Sequence, residues 1–294
     1  MHQLRYFVRV AELGNITRAA EACFVSQPSL SQQLAKLERE LGQPMFERLG
    51  RGIRLTEAGR VFRDYAEQIL RLTEDARQSV VDDENSGRLI LGAIPTIAPY
   101  LLPRLLVAFS RECPAAELEI VEETTGGILK RIARGELDLA LVALPVSEPQ
   151  LVSEALFTED LFAVMPEGHR LATLDPLTID DLLPEPFVLL NETHCLTGTT
   201  MSFCQRNAAS PIVTGQMQQL STVLELVRLG QGISIVPEMA LAGMGPGLLG
   251  RRFSPDRPTR TIGLVRAKSR FRTKLFERFV RFVKREVGGS AGIP

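Results

Sequence analysis

The first forty residues alternate short runs of helical periodicity with brief polar interruptions. Ala19, Ala20 and Cys23 share one helical face, and the pattern breaks just before Ser26. A second helix is predicted to begin at Pro28, with Ser26 as its N-cap. Its apolar positions, spaced by four, three and four residues, are Leu30, Leu34, Leu37 and Leu41.

The polar face of this second helix carries short or amide side chains instead of the Glu/Lys mixture of an ordinary solvated helix. Two short helices across a tight turn, with hydrogen-bonding residues at the start of the second, predict a DNA-reading helix-turn-helix. An ordinary helical hairpin is the alternative that the pattern alone leaves open. The candidate DNA contacts in the two helices are Thr17, Ser26, Gln27, Ser29, Ser31, Gln32 and Lys36.

A Gly-rich basic stretch, residues 44–55, follows the second helix. It is typical of a β-hairpin wing that lies against DNA phosphates, although a solvated basic turn has the same composition. The candidate phosphate contacts in this wing are Arg48, Arg51 and Arg54.

A long helix is predicted from Thr56 to about Asn85, because this stretch lacks Pro and contains Gly only at Gly59. Its apolar residues recur at spacings close to a heptad, which predicts a dimerisation stripe. Packing of the helix on its own C-terminal domain is the alternative. The stripe consists of Val61, Tyr65, Ile69, Leu72, Ala76 and Val80.

Beyond Asn85-Ser86-Gly87, read as the end of the helix and a hinge, predicted strands and helices alternate. The order βαβαβ over residues 89–142 indicates a parallel sheet with right-handed crossovers. A second group of strands is predicted at residues 162–165, 187–190, 212–214 and 233–236, with helices at 220–229 and 272–287. Two α/β lobes of this kind bind ligands in the crevice at the carboxyl ends of their strands.

Composition narrows the class of protein. Hydrophobic residues make up 45% of the 294, the net charge is −1, and no apolar run is long enough to span a membrane. With no signal sequence in view, we expect a cytoplasmic protein whose four cysteines form no disulfide scaffold. Residues 1–60 hold nine Lys/Arg against six Asp/Glu, so DNA affinity must come from the placement of charge and from paired copies.

Sequence motifs for catalysis, metal binding and cofactor binding either do not occur or lack the neighbouring strand and helix that they require. The sequence Gly245-Pro246-Gly247-Leu248-Leu249-Gly250 fits GxGxxG, but it follows a helical stretch and contains Pro. No CxxC or HExxH occurs, no GxSxG nucleophile elbow is present, and the three His are scattered. We therefore expect neither an enzyme nor a bound metal or cofactor.

The N-terminal residues resemble the DNA-binding domain of LysR-type transcriptional regulators. The resemblance extends over nearly sixty residues and includes Thr17-Arg18-Ala19-Ala20, Ser26-Gln27-Pro28-Ser29-Leu30-Ser31 and Leu55-Thr56-Glu57-Ala58-Gly59. It implies a fold of class α/β with an N-terminal α part. A winged helix-turn-helix (1–58) precedes a linker or dimerisation helix and hinge (59–87) and a two-lobed, periplasmic-binding-protein-like effector domain (88–294). Lobe I would span about 88–161 and 268–294, and lobe II about 162–267.

A second stretch, residues 192–204, resembles the redox segment of the peroxide-sensing members of that family, with His-Cys-Leu followed by Met-x-Phe-Cys. The resemblance implies that Cys195 is the peroxidatic thiol and Cys204 the resolving one. It also implies that Thr96, Thr125, His194 and Arg260 bind and polarise the peroxide. Thr197 and Gly198 depart from the pattern, which has Arg and Asp there.

The residues themselves leave two ligands open. A thiol beside a helix N-terminus suits peroxide oxidation, since free N–H groups favour the thiolate. A cleft that binds a small organic effector, with structural cysteines, is the rival. Cys23 and Cys113 are expected in cores. The family resemblance further implies a homo-oligomer, tetrameric by analogy, that binds a double-stranded operator and contacts RNA polymerase. Two other classes of protein are alternatives. A solute-binding protein would need a secretion signal and no DNA-binding domain, and a thiol peroxidase would turn over peroxide catalytically with a reductant.

Overall fold

The chain divides into two compact units, residues 1–82 and residues 83–294. The computed structural model describes residues 1–48, 52–80, 83–182, 184–207 and 212–288. The helices and strands of the first unit are α1 (His2–Leu13), α2 (Ile16–Ala22), α3 (Gln27–Leu41), β1 (Phe46–Arg48), β2 (Ile53–Leu55) and α4 (Glu57–Val80).

The helix-turn-helix forms as the sequence predicts. The Ser26 hydroxyl caps α3 by accepting a hydrogen bond from the Ser29 N–H at 3.4 Å. Phe24, between α2 and α3, has a left-handed φ of 56°, which reverses the chain in the turn. Leu30, Leu34 and Leu37 are buried as expected. The fourth predicted member, Leu41, is 41% exposed, because α3 ends beside it at a left-handed glycine.

The linker helix is shorter than the sequence predicts. Its described part ends at Val80, and residues 83–85 are not helical. The Asp83 carboxylate accepts hydrogen bonds from the Ser86 hydroxyl at 2.9 Å and from the Asn85 N–H at 3.2 Å, an arrangement typical of Asx turns. Ser86 then begins a strand rather than a hinge loop.

The apolar stripe of α4 faces outward. Its members Val61, Tyr65, Ile69, Leu72 and Val80 are between 42% and 85% exposed. The part of α4 near the helix-turn-helix is anchored by Ala66, which is fully buried in the core of the first unit. An exposed stripe of this size is typical of a surface that a partner covers.

The second unit is α/β. Its strands are β3 (Ser86–Ala93), β4 (Ala115–Glu122), β5 (Leu139–Leu144), β6 (Leu151–Pro166), β7 (Pro186–Leu190), β8 (Ile212–Met217), β9 (Ser234–Pro237), β10 (Leu248–Arg251) and β11 (Thr259–Ala267). Its helices are α5 (Ala98–Glu112), α6 (Thr125–Ala133), α7 (Ile179–Leu182), α8 (Cys195–Arg206), α9 (Leu220–Arg228) and α10 (Lys274–Gly288).

The strands pair largely as the βαβαβ pattern predicts. β3 is parallel to both β4 and β5, and β7 is parallel to β8. The described strands of the main sheet follow the order β10-β6-β11-β5-β3-β4, with β9 also paired to β6. β6 is far longer than the predicted 162–165. The apolar residues of its first half are irregularly spaced, so they do not show the alternation by which a strand is recognised; they are Leu151, Val152, Ala155, Leu156 and Phe157.

Two cores lie along this sheet. The first core is formed mainly by α5, β3, β5, β11 and α10. In it, the Phe109 ring contacts the rings of Phe279 and Phe282 edge to face, with centroids 4.9 and 5.1 Å apart. The second core is formed mainly by β6, β7, α9 and β9. Ile262 and Leu264, which the sequence placed in lobe II, pack in the first core because β11 pairs with β5.

Candidate functional sites

The predicted DNA-reading residues lie on α2 and α3. Ser29, Gln32 and Lys36 follow each other at spacings of three and four, so they form one stripe on the side of α3 opposite its buried leucines. Gln27 Nε2 donates a hydrogen bond to Ser31 Oγ at 3.0 Å, and Ser31 is half-buried. The predicted residues that are exposed are Thr17, Ser26, Gln27, Ser29, Gln32 and Lys36.

The predicted wing is a short antiparallel hairpin of β1 and β2, in which Phe46 lies opposite Leu55. Arg54 is exposed on β2 and donates to Glu47 at 2.9 Å. Arg48 is the last residue of β1, and Arg51 lies outside the described residues. The hairpin therefore presents at least one arginine at the surface.

The topology of the second unit brings the predicted pocket residues to one edge. Thr96 follows the end of β3, and Thr125 begins α6 just after β4. Since β3 and β4 are parallel and in register up to Ala93 and Glu122, both threonines lie at the carboxyl edge of the sheet. β11 runs antiparallel to β5, with Thr261 opposite Leu144, so the start of β11 reaches the same edge.

Arg260 and Thr96 are in direct contact at this edge. Arg260 Nη1 donates to Thr96 Oγ1 at 2.8 Å, and Nη2 donates to the Thr96 carbonyl at 3.0 Å. Arg260 Nε donates to Glu159 Oε1 at 2.9 Å, and the side chains of this ion pair are each 1% exposed. Glu159 is the register partner of Arg260 across β6 and β11.

Glu159 has a second partner. Its Oε2 accepts a hydrogen bond from the Met239 N–H at 2.9 Å, so both carboxylate oxygens are satisfied. Burial raises the pKa of Glu159, while the charge of Arg260 and these hydrogen bonds oppose that rise. The hydrogen bonds and the guanidinium replace water around the carboxylate, which reduces the cost of burying its charge.

His194 and Cys195 lie where α8 begins. His194 is the N-cap and Cys195 the first residue of the helix, so the thiol is beside the free N–H groups of the first turn. Burial lowers the pKa of His194, and a hydrogen bond with the Gln218 backbone opposes this, so the ring is neutral at pH 7. Its Nε2 is buried and has no hydrogen-bond partner.

Cys195 lies at the junction of the two cores. Leu196 and Phe203 of α8 pack in the second core, whereas the half-buried Cys195 packs against the first. Tyr100 of α5 packs against both. The start of α8 therefore faces the lobe that carries Thr96 and Thr125.

Some buried side-chain polar atoms in the described part of the second unit have no hydrogen-bond partner. They include Thr125 Oγ1, His194 Nε2 and Thr200 Oγ1, the last on α8. An unsatisfied buried polar atom is costly unless a ligand or water pairs with it. These three atoms are therefore candidates to contact a small polar ligand.

Cys204 does not belong to this group. It is buried near the other end of α8, where burial raises the pKa of its thiol, and both cysteines of α8 are free. Nine residues along an α-helix correspond to about 14 Å and to opposite faces. The two thiols are thus far beyond the roughly 7 Å between Cα atoms that a disulfide allows.

Sequence reasoning missed Glu159 and Thr200. A signal existed for Glu159, because a carboxylate just before the apolar run of β6 needs a buried cation.

The remaining cysteines, Cys113 and Cys23, differ in their burial. Cys113 is buried in the first core as expected, but Cys23 is only half-buried and is not among the core residues of its unit.

Within the described residues, no group of three or more His, Cys, Asp or Glu side chains could hold a metal ion. None of the helices described here is both long enough and apolar enough to cross a membrane.

A winged helix-turn-helix followed by an α/β unit with two cores is the architecture of a DNA-binding transcriptional regulator. The chain belongs to the LysR family. Residues 1–60 match the bacterial regulatory helix-turn-helix protein of the lysR family, and residues 82–288 match the LysR substrate binding domain.

Its relatives include named peroxide regulators. The DNA-binding transcriptional dual regulator OxyR of Escherichia coli (strain K12) is 34% identical over 271 residues, which cover 90% of this chain and 88% of that protein. A full-length OxyR variant from Pseudomonas aeruginosa has a TM-score of 0.78 at 29% identity, covering 99% of this chain and 98% of that one. A hydrogen peroxide-bound OxyR mutant from Corynebacterium glutamicum has a TM-score of 0.67 at 33% identity, covering 98% and 92%.

Proposed function

We propose that this LysR-family regulator senses hydrogen peroxide through Cys195. The observation that carries the proposal is the position of this thiol, half-buried on the first residue of α8 at the junction of the two cores. The adjacent His194 has a buried, unpartnered Nε2. The names of the relatives, peroxide-inducible activators and a peroxide-bound OxyR, support the same ligand.

In the proposed first step the Cys195 thiolate attacks one oxygen of hydrogen peroxide. The S–O bond forms as the O–O bond breaks, sulfur is oxidised to sulfenic acid, and the leaving hydroxide takes a proton to become water. We assign binding of the peroxide to Thr96, Thr125, His194 and Arg260. Arg260 retains one N–H on each Nη that its present hydrogen bonds do not use, so it can donate to the leaving oxygen.

In the proposed second step the Cys204 thiol attacks the sulfenic sulfur, a disulfide forms, and water leaves. Because α8 is continuous from Cys195 to Arg206, this step requires the helix to unwind. An element with two such states, helical when reduced and rearranged when oxidised, is what a redox switch needs. Thr197 and Gly198 stand where the pattern of the peroxide sensors has Arg and Asp. The rate of proton transfer to the leaving oxygen therefore needs to be tested in this chain.

The output of the proposed switch is an altered contact with DNA. We assign base reading to Thr17, Ser26, Gln27, Ser29, Ser31, Gln32 and Lys36, and phosphate contacts to Arg48, Arg51 and Arg54. The exposed stripe on α4 would join two copies, and four copies would form the active assembly. RNA polymerase would be the partner in activation.

The test is mass spectrometry of the full chain after brief exposure to low peroxide. We expect a Cys195–Cys204 linkage in the wild type, and trapped sulfenic acid at Cys195 in Cys204→Ser. Cys195→Ser should lose the peroxide response and keep operator binding. Cys23→Ser, which changes a half-buried thiol of the other unit, is the matched control and should respond as the wild type does.

An organic-effector regulator gives the opposite result. In that case all the cysteines react slowly with peroxide, and Cys195→Ser keeps full inducibility. That pair of results would overturn the peroxide proposal and leave membership of the LysR family unaffected.

A further inference from the structure

The buried ion pair between Glu159 and Arg260 determines the net charge of the proposed peroxide site. We infer that Glu159 is a positioning and charge-compensating residue, which fixes the Arg260 guanidinium and makes the site selective for a neutral ligand over an organic anion. The inference rests on the proposed function, since it names the ligand class of that same site.

The positioning role follows from the hydrogen bonds. Arg260 has three anchors, which are Glu159 Oε1 on Nε and the hydroxyl and carbonyl of Thr96 on its two Nη atoms. Glu159 is itself fixed by the Met239 N–H, just after β9. The guanidinium is thus held between two strands and a loop, and its orientation is set before any ligand arrives.

The compensating role follows from the charges around the site. Glu159 and Arg260 cancel each other at 2.9 Å, with 1% of each side chain exposed. Glu238, whose charge also acts on Glu159, is paired with Arg252 at 3.2 Å. His194 is held neutral by burial. The two ion pairs and the neutral His194 ring therefore give this edge of the sheet no net positive charge.

A carboxylate ligand would therefore lose its hydration without gaining a free cation. Burial of an anion is costly unless a counter-charge replaces water, and here the counter-charge already belongs to Glu159. Hydrogen peroxide carries no charge, and it can both donate and accept hydrogen bonds. The unpartnered Thr125 Oγ1 and His194 Nε2 can bind it by hydrogen bonds alone.

The experiment compares two alkylating reagents of nearly equal shape, neutral iodoacetamide and anionic iodoacetate, at Cys195 of the full chain. The ratio of their rates reports the electrostatic potential at the thiol without any peroxide chemistry. Glu159→Gln should raise the iodoacetate-to-iodoacetamide ratio about tenfold, because an uncompensated charge now acts across a partly buried site. Glu159→Asp, which keeps the charge, should stay within about twofold of the wild type by the same reasoning.

Two further variants separate charge from packing. Glu119→Gln removes the carboxylate of the exposed pair with Arg88 and should leave the ratio unchanged. Adding Arg260→Gln to Glu159→Gln removes both charges and should return the ratio to the wild-type value. A Glu159→Gln ratio equal to that of the wild type would overturn the inference.

A folding failure of Glu159→Gln would still leave the inference testable. In the wild type, acetate and benzoate should neither protect Cys195 from iodoacetamide nor raise the melting temperature, and protection by either would refute it. Failure of the proposed function is a separate outcome, since it would appear as a lack of sulfenic acid after peroxide treatment while the alkylation ratios still respond to Glu159→Gln.

Discussion

Thr197→Val should accelerate disulfide formation without changing the first oxidation of Cys195. Thr197 is buried in the first turn of α8, and its Oγ1 donates to the Leu190 carbonyl at 2.8 Å, which ties the helix to the end of β7. Valine keeps the shape of the side chain and removes that hydrogen bond. The reduced, helical state of α8 therefore loses a contact that the unwound state does not make.

The size of the effect follows from the net value of one buried hydrogen bond, about 1 kcal/mol. If α8 opens and closes rapidly before the thiols meet, losing about 1 kcal/mol raises the equilibrium constant for opening about fivefold. The rate of disulfide formation then rises by the same factor. The assay is a quenched time course. Dimedone traps sulfenic acid at Cys195, and mass spectrometry measures the Cys195–Cys204 linkage.

Thr214→Val is the matched control, because Thr214 Oγ1 also donates to a main-chain carbonyl, that of Phe187, but lies on β8 and not on α8. Its linkage rate should stay near that of the wild type. An unchanged or slower linkage in Thr197→Val, with normal sulfenic acid formation, would refute the view that unwinding of the first turn limits the disulfide step.

Three other predictions concern DNA, assembly and proton transfer. Gln32→Ala should lose about 1–3 kcal/mol at one base position, whereas Arg54→Ala should weaken all sequences alike and flatten the salt dependence; binding titrations on operator and random DNA distinguish the two, and equal losses for Gln32→Ala would remove it from base reading. Ile69→Glu should lower the mass measured by light scattering, because a charge enters the stripe, while Glu74→Gln, an equal change of charge on the exposed opposite side of α4, should not; an unchanged mass for Ile69→Glu in a folded protein would place the interface elsewhere. Gly198→Asp should speed sulfenic acid formation in stopped-flow experiments, since a side chain there meets open space and supplies the missing carboxylate, and an unchanged rate would show that this position does not limit the chemistry.

Local periodicity predicted most helices and strands because each buries one regular apolar face. The turn before α3 could be predicted from Ser26 and Pro28, whose roles in capping are local. β10 was missed because its residues overlap the Gly245–Gly250 stretch, whose glycines and Pro246 interrupt any strand pattern in the sequence. In the structure, Gly245 and Gly247 have positive φ angles immediately before the strand. The first half of β6 was missed because its apolar residues do not alternate regularly with polar ones.

The residues of the proposed pocket could be predicted only in part from the sequence. Resemblance supplied Thr96 and Arg260, and the structure brings them into contact. Glu159 could not be assigned to Arg260 in this way, because their pairing depends on the register of two strands 101 residues apart in the chain. Such a register is set by the whole sheet and not by the neighbours of either residue.

The contribution of α10 to the first core determines the order in which the chain can fold during synthesis. Phe109 reaches its neighbours Phe279 and Phe282 only after nearly all of the second unit has been made. At roughly 5–20 residues per second, the ribosome leaves the partly formed sheet exposed for on the order of ten seconds, while residues 1–82 can already fold. A messenger RNA truncated before the codons for α10 would therefore produce a chain with a complete first unit, including the helix-turn-helix and α4, but an incomplete second unit. If the α4 stripe joins two copies as proposed, such a fragment should pair with full-length copies at the operator and act as a dominant-negative competitor.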